Sequence, residues 1–349
     1  MIPRISLSES RPQFVHNFLS ELRESTFSGD IKHDFGTRLV TATDNSIYQV
    51  LPQAVVYPKN AEDIQTVLKI TEQQQFRQSI KITPRGGGTG TNGQSLTEGV
   101  VLDCSRFMNR ILETNFKDGW VRVEPGVVLD QLNEHLAPHK VFFAPDLSTS
   151  NRATLGGMVN TDACGKGSRI YGRTSDHIIE LTCILSSGEV LQSIPLDSET
   201  LAEYKQKSGI SGNVFKVVDQ VVSDKAELIQ EVFPKMSRFM TGYNLAKVYE
   251  NSAKNFNLNY LLSGSEGTLA VVSEAKLRLT QLPKHKRLLV VKYEAFDDAL
   301  RNAEVLVESD PSAIETIDEK ILSLAKEDEI YLKIKNFIKD ETGKPKSKN

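Results

Sequence analysis

A glycine-rich stretch at residues 84–95, PRGGGTGTNGQS, constrains the fold of this chain more than any other segment. It lies between two β-like runs, at residues 79–83 and 100–103. A backbone with so few Cβ atoms can adopt positive φ and turn several N–H groups inward together. Such a concave nest suits a phosphate or a pyrophosphate, so we expect an anion-binding loop between two strands.

Two better-known phosphate motifs compete for this loop, and both fit it poorly. Residues 88–93 match the dinucleotide fingerprint G-x-G-x-x-G, but that fingerprint requires a helix to begin inside the motif. Only about one helical turn separates the loop from the next β-branched run. A Walker A loop needs Gly-Lys-Ser/Thr, which is absent. A glycine-rich hairpin without any ligand remains an alternative.

Composition favours a globular protein of about two domains, since the chain has 349 residues, 39% of them hydrophobic and 25% charged. A net charge of −3 gives no basic field for nucleic acid, so no nucleic-acid partner is expected. No apolar run has the length of a transmembrane segment, and the N-terminus lacks an apolar signal core. Cys104, Cys164 and Cys183 are widely spaced and include no C-x-x-C pair, which favours reduced thiols in the cytoplasm over a disulfide framework or an iron–sulfur cluster.

Hydrophobic periodicity predicts a mixture of helices and strands rather than a uniform α/β repeat. Phe14, Phe18, Leu19 and Leu22 form one face of an N-terminal helix within residues 8–26, whereas residues 30–49 have loop character. Asn60 is a helix N-cap. The strands predicted are 54–57, 79–83, 100–103, 120–124, a hairpin over 178–191, 269–272 and 275–280, and the further helices are 128–136 and most of 198–230. This order favours an α+β domain.

Two further segments are rich in small residues. Residues 153–165, ATLGGMVNTDACG, would let a backbone approach a planar ligand closely, although helix packing through Gly156 and Gly157 is an alternative. Residues 261–272 form a third Gly/Ser-containing loop that leads into a strand. Glu266 in this loop is either a ligand contact or an exposed turn carboxylate.

The character of the sequence changes after Pro283. Strands at 287–293 and 313–317 and helices at 295–308 and 318–325 would open a second α+β domain, and residues 341–349 would be a disordered polar tail. We therefore divide the chain into an N-terminal helix and lead-in segment (1–45), a main domain (46–283), an incomplete second domain (284–330) and a polar tail (331–349).

Three segments in order resemble the flavin domain of the vanillyl-alcohol oxidase / p-cresol methylhydroxylase family: PRGGGTG (84–90), PD with TLGGMVNT (145–161) and GSEGTL (264–269). Within that family the chain is most similar to the FAD-linked D-2-hydroxy acid dehydrogenases, with which it also shares TGYNL at 241–245. The resemblance covers about residues 30–325. It implies a PCMH-type, two-subdomain FAD-binding domain, followed by the start of a ferredoxin-like α+β cap domain.

The resemblance also implies roles for individual residues. The glycine loop would donate backbone N–H groups to the FAD pyrophosphate, the second segment would contact the isoalloxazine and the ribityl chain, and the third would hold the adenine end or the backbone near it. The cofactor-binding residues so implied are Arg85, Gly86, Gly87, Gly88, Thr89, Gly90, Asn92, Gly93, Ser95, Pro145, Asp146, Leu147, Thr154, Gly157, Asn160, Thr161, Glu266, Gly267 and Val272. Arg85 has a second interpretation as a surface charge at a strand end.

Some flavoproteins of this family attach FAD through a histidine beside the glycine loop. Residues 84–95 contain none, so we expect non-covalent FAD. His135 and His139 are separated by Pro138, which argues against a helical pair of metal ligands, and no metal site is predicted. His177 has a structural interpretation and a flavin-contacting one.

The family's reaction implies a small 2-hydroxy acid substrate, such as D-2-hydroxyglutarate or D-lactate, whose Cα hydrogen passes to the flavin as hydride. The family's catalytic base and carboxylate-binding residues lie in the later part of the cap, so none can be named here. We expect the FAD-binding portion of a cytoplasmic dehydrogenase that is inactive or weakly active alone. Alternatives are a non-catalytic flavin-binding subunit that pairs with a separate cap and iron–sulfur polypeptide, and an NADPH-dependent enolpyruvyl reductase.

Overall fold

A computed structural model describes residues 11–236, 242–249 and 255–338 of the chain. Contacts between Cα atoms divide the chain into two compact units, Met1–Leu282 and Pro283–Asn349. Within the described ranges, no helix combines the length and the apolar character that crossing a bilayer requires.

Eleven strands are present in the described residues, all in the first unit. They are β1 Asp30–Lys32, β2 Ala54–Tyr57, β3 Ile82–Arg85, β4 Val100–Asp103, β5 Ile111–Asn115, β6 Trp120–Val123, β7 Val141–Phe142, β8 Ile178–Ile184, β9 Val190–Ser193, β10 Val271–Arg278 and β11 Thr280–Gln281. A four-stranded sheet has the order β1-β2-β4-β3, a five-stranded sheet has the order β5-β6-β10-β8-β9, and β7 pairs with β11.

Thirteen α-helices occur in the same described ranges. They are α1 Gln13–Glu24, α2 Phe35–Val40, α3 Ala61–Thr71, α4 Leu129–Leu136, α5 Leu155–Asn160, α6 Ser168–Tyr171, α7 Ser198–Gln206, α8 Gly209–Asp224, α9 Ala226–Val232, α10 Asn259–Leu262, α11 Phe296–Val307, α12 Glu319–Ala325 and α13 Tyr331–Ile338.

The four-stranded sheet and the helices α1 and α3 form one part of the core. Strands β2, β3 and β4 are parallel, and α3 is the crossover between β2 and β3. The Asn60 side chain caps α3 by accepting from the Asp63 amide at 2.9 Å, which confirms the predicted N-cap. Phe18 of α1 packs edge-on against Phe76 at 5.6 Å between ring centroids. Phe14 was expected on the buried face of α1 but is exposed, and Val15 takes that place.

The five-stranded sheet is antiparallel throughout and forms the second part of the core. Its inner face packs against α4, α5, α8 and α10, with Phe143, Phe215 and Phe256 among the fully buried side chains. The four-stranded sheet is mixed, because β1 pairs antiparallel with β2. Two sheets of different connectivity in one unit confirm the predicted α+β class.

Several predicted boundaries within the first unit are wrong. Residues 30–49 contain β1 and α2, because β1 finds a partner in β2 and the Asp34 side chain caps α2. The strand predicted at 79–83 begins only at Ile82, since residues 76–80 form a hydrogen-bonded turn. Strands predicted at 269–272 and 275–280 are largely one strand, β10. Strand β5 was not predicted.

The second unit contains only helices within its described residues. Helices α11 and α12 confirm the predicted helices, whereas the strands predicted at 287–293 and 313–317 are absent from residues 283–338. A strand needs a hydrogen-bonding partner, and these two runs pair neither with each other nor with any described strand. The first part of the proposed tail forms α13, and residues 339–349 lie outside the described residues.

Candidate functional site

A cleft with a volume of about 360 Å³ lies in the first unit, and most of its lining comes from three separate segments. The glycine loop, residues 84–95, follows β3 of the four-stranded sheet. Residues 147–164 include α5, and residues 266–272 lead into β10 of the five-stranded sheet. The cleft therefore lies where the loop from one sheet meets the segments that belong to the other.

The glycine loop and the second segment approach each other at backbone distance. A Cβ atom on Gly86 would overlap the Thr154 side chain, and one on Gly87 would overlap the carbonyl oxygen of Arg152. Gly156 approaches Pro125 in the same way, which supports the packing interpretation of this glycine. Side chains at these positions would separate the two walls of the cleft.

The third segment is fixed to the C-terminal end of α5 by backbone hydrogen bonds. The Gly264 amide donates to the Val159 carbonyl at 3.0 Å, and the Glu266 amide donates to the Asn160 carbonyl at 2.9 Å. Glu266 and Gly267 both have positive φ, 54° and 75°, which forms a tight turn. Because Gly267 has no side chain, this turn can pack on Pro84 at the start of the glycine loop.

Polar groups in the cleft are left without protein partners. Thr154 Oγ1, Asn160 Oδ1 and Glu266 Oε2 are buried atoms with no hydrogen-bond partner among the described residues. In the same part of the chain, the amides of residues 86–91 donate to no protein acceptor. Buried polar groups are normally paired, so this set indicates a ligand that carries both acceptors and donors. A phosphate-containing cofactor fits, because the loop amides can bind its anionic oxygens.

Burial shapes the charge of the cleft. It raises the pKa of the Glu266 carboxyl, an effect that a hydrogen bond from Gln94 opposes. Burial also raises the pKa of the Cys104 thiol far above its usual range, so this cleft-lining cysteine stays protonated. Asp162 forms an ion pair with Arg173 at 3.0 Å in which both side chains are at most 6% exposed, so it adds little free charge to the cleft.

The structure brings most of the predicted cofactor-binding residues together. Those that line the cleft are Arg85, Gly86, Gly87, Gly88, Thr89, Gly90, Asn92, Ser95, Leu147, Thr154, Gly157, Asn160, Thr161, Glu266, Gly267 and Val272. Gly93, Pro145 and Asp146 do not line it. Gly93 packs against the Tyr48 ring, Pro145 is buried in the core, and Asp146 is exposed beside Gly165.

Sequence reasoning missed other residues of the lining. They are Pro84, Thr91, Gln94, Cys104, Pro125, Thr149, Ala153, Gly156, Met158, Asp162, Ala163, Cys164 and Val271. Most of them lie in sequence between residues that had been predicted to bind the cofactor. The many small side chains in residues 153–164 could have indicated that this whole segment lines the site. Cys104 and Pro125 follow strands β4 and β6 and carried no signal of their own.

Two remaining candidates lie outside the lining. His177 is buried, its Nε2 is 2.6 Å from the Tyr171 carbonyl, and its ring is edge-on to Phe143. This environment supports its structural interpretation. Of the TGYNL segment, Thr241 lies outside the described residues, and the Tyr243 hydroxyl is 2.8 Å from the Thr268 hydroxyl in the third segment.

Comparison with known proteins agrees with this geometry. The model of the FAD binding domain family matches residues 52–193. The chain is 49% identical over 341 residues to the D-2-hydroxyglutarate dehydrogenase of Escherichia coli strain K12, an alignment that covers 97% of this chain and 33% of that protein. It is 28% identical over 278 residues to glycolate oxidase subunit GlcD of Bacillus subtilis, with 79% of this chain and 47% of that protein covered. The chain spans only about a third of the length of the D-2-hydroxyglutarate dehydrogenases that it matches.

Solved structures show the same fold at low sequence identity. A structure of alkyldihydroxyacetonephosphate synthase superposes with a TM-score of 0.55 at 18% identity, over 82% of this chain and 43% of that chain. The BBE-like 1 protein of Physcomitrella patens superposes with a TM-score of 0.52 at 16% identity, over 76% of this chain and 44% of that chain. The family match and the geometry of the cleft together identify residues 52–193 as an FAD binding domain.

Proposed function

We propose that the cleft holds FAD without a covalent bond. The unpartnered amides of residues 86–91 would bind the pyrophosphate, and Thr154, Asn160 and Glu266 would use their unpartnered oxygens on the rest of the cofactor. Non-covalent attachment is supported by the lining, since the residues that line the cleft include no histidine. Gly93 is assigned to holding the loop rather than to binding.

We further propose that the chain is the FAD-binding part of a dehydrogenase that oxidises D-2-hydroxyglutarate or a similar D-2-hydroxy acid. The observation that carries this proposal is 49% identity over 97% of the chain to a D-2-hydroxyglutarate dehydrogenase. Bound FAD would supply the acceptor for the hydride that leaves the substrate Cα. The chain's own contribution is to hold the cofactor between two rigid sheets and to exclude water from the buried wall formed by α5.

The groups that bind the substrate carboxylate and remove the hydroxyl proton are proposed to lie in the part of the relatives that this chain does not match. A separate polypeptide carrying the cap and an iron–sulfur centre is the partner that would supply them. The location is proposed to be the cytoplasm, which is supported by three cysteines that are all unpaired in the structure.

Flavin binding can be tested on the purified chain. Titration with FAD should quench flavin fluorescence to saturation at about one equivalent, and acid precipitation should release all of the flavin into the supernatant. FMN should bind much more weakly, because it lacks the pyrophosphate that the loop amides would bind. A chain that takes up no FAD would refute the cofactor proposal, and flavin retained in the acid pellet would refute non-covalent attachment.

The substrate proposal needs a separate measurement. Anaerobic addition of D-2-hydroxyglutarate to the FAD-loaded chain, alone and with the purified remainder of a homologous dehydrogenase, should bleach the flavin only in the second case. L-2-hydroxyglutarate is the matched control. Rapid bleaching in the chain alone would show that the missing groups are not needed, and no bleaching in either case would count against the substrate class.

A further inference from the structure

The glycine loop is held by a short segment that precedes the matched family domain. Residues 41–50 form a small hairpin, closed by the Val50 amide donating to the Ala42 carbonyl at 2.9 Å and by a bridge between Thr43 and Gln49. We call residues 41–50 the strap. The family match begins at residue 52, so the strap is not part of it.

Arg85 connects the strap to both ends of the glycine loop. Its Nη2 donates to the Thr43 carbonyl at 2.7 Å, and its Nη1 donates to the Thr41 carbonyl at 3.4 Å and to the Ser95 hydroxyl at 3.1 Å. Arg85 is the last residue of β3, and Ser95 is at the far end of the loop. One guanidinium group therefore links the beginning of the loop, its end and the strap.

Asp44 completes the connection from the strap side. The Ser95 hydroxyl donates to Asp44 Oδ2 at 3.2 Å, while Asp44 Oδ1 accepts from the Ser46 amide at 2.8 Å. The hydroxyl thus receives a hydrogen bond from Arg85 and passes one to Asp44. Burial lowers the pKa of Arg85, whereas the nearby Asp44 and Asp103 carboxylates favour its charged form.

Contacts with loop glycines show that the fit is close. The Arg85 guanidinium lies against Gly88, where any Cβ atom would overlap it, and Gly88 has a φ of 61°. On the strap side, the Tyr48 ring would be 2.9 Å from a Cβ atom on Gly93. The strap and Arg85 therefore pack directly on two loop glycines with positive φ, which few other residues could replace.

From this network we infer that Arg85 is a positioning residue rather than a phosphate ligand: with Ser95 and Asp44 it clamps the strap to the glycine loop and holds the loop amides in the conformation that binds FAD. This inference rests on the proposed cofactor. Nη1 and Nη2 of Arg85 already donate hydrogen bonds to backbone carbonyls of the strap. Lysine would keep the charge but could not span three acceptors in different directions.

The test compares Arg85→Lys and Asp44→Asn with a matched control, Arg110→Lys, which alters an arginine paired with Glu124 outside the cleft. Hydrogen–deuterium exchange of residues 86–95 is measured in the FAD-free chain, and FAD affinity is measured by fluorescence titration. Both clamp variants should exchange faster in the loop and bind FAD about tenfold more weakly, mainly through faster release. The control should match the wild type in both measurements.

A double variant tests whether Arg85 and Asp44 act together through one network or affect FAD binding independently. Because Arg85 and Asp44 share Ser95, Arg85→Lys/Asp44→Asn should weaken FAD binding by less than the product of the single effects. Weaker binding with unchanged loop exchange would overturn the inference, since it would show that Arg85 contacts the ligand. Wild-type exchange in both clamp variants would also overturn it. If the wild-type chain fails to bind FAD, the cofactor proposal fails, whereas the exchange experiment still decides whether the clamp exists.

Discussion

Gly86 and Gly87 allow two walls of the cleft to come into contact, because a side chain at either position would overlap the opposite wall. This restricts both positions to glycine more strictly than the anion nest predicted from the sequence does. Gly87→Ala would place a methyl group against the Arg152 carbonyl, a backbone atom that cannot move without shifting its segment. Overpacking of this kind costs about 1–3 kcal/mol, so FAD affinity measured by titration should fall by roughly tenfold or more.

A second glycine serves as the control for that prediction. Gly36 lies in α2, away from the cleft, and a Cβ atom there would meet Asp34 Oδ1 at 3.4 Å, an ordinary contact distance. Gly36→Ala should therefore bind FAD as the wild type does. Equal binding by Gly87→Ala and Gly36→Ala would show that the close approach at residue 87 is not needed.

His177 predicts a pH dependence of stability. Its Nε2 donates to the Tyr171 carbonyl in the neutral ring, and Nδ1 is buried without a partner among the described residues. Burial lowers the pKa of His177 below its ordinary value of 6.5, opposed by the Tyr171 carbonyl and by Asp176 and reinforced by Arg278. The unfolded chain binds the proton more readily, so this group makes the folded state less stable as pH falls below about 6.5, until the folded-state pKa is reached.

Urea unfolding across this pH range measures the effect. His177→Gln retains an N–H donor for the Tyr171 carbonyl but cannot titrate, so its free energy of unfolding should decline less between pH 7 and 5 than that of the wild type. His16→Gln alters an exposed histidine and should keep the wild-type slope. Identical slopes for all three proteins would refute the assignment.

At the scale of elements, the C-terminal end of α5 organises the cleft. Asp162 follows this helix with a φ of 46°, pairs with Arg173 and accepts a hydrogen bond from the Ser175 amide at 2.9 Å. Asp162→Asn preserves the backbone conformation and an acceptor for Ser175 but removes the buried charge. Because breaking a buried pair is strongly destabilising, we expect a loss of about 3 kcal/mol in the free energy of unfolding.

The control for this element is an exposed ion pair. Glu72→Gln breaks the contact between Glu72 and Arg77 at 3.3 Å, and should change the free energy of unfolding by less than about 1 kcal/mol. Denaturant unfolding of the FAD-free chain measures the change in the free energy of unfolding for both variants. If Asp162→Asn cost no more than Glu72→Gln, the end of α5 would not depend on the pair.

Elements with a strong local signal were predictable, and those defined by a distant partner were not. Helix α3 has a capping asparagine and an apolar stripe at Ile64, Val67 and Leu68, so its sequence alone was sufficient. Strand β1 exists because it pairs with β2, and its three residues carry no alternating pattern. The same physics explains the opposite error at 287–293, where an apolar run suggested a strand but forms a β-ladder with none of the described strands.

At the scale of the molecule, three short segments separated by up to about 180 residues meet at one cleft. Local patterns identified all three, because each is rich in small residues, but they could not show that Gly267 packs on Pro84 or that Glu266 is fixed to Asn160. Such contacts depend on how the two sheets are joined. For the same reason the strap was predicted as a loop without any link to the cofactor site.

The location of the cleft leads to a prediction about the first unit alone. Every residue that lines it falls between Pro84 and Val272, and both clusters of buried apolar side chains lie within residues 11–282. A unit with its own core can fold independently, and one of this size buries most of its apolar surface. A fragment of residues 1–282 should therefore unfold cooperatively and bind FAD with the affinity of the full chain. Circular dichroism and fluorescence titration provide the two measurements, and a folded fragment that binds FAD at least tenfold more weakly would show that residues 283–349 contribute to the cofactor site.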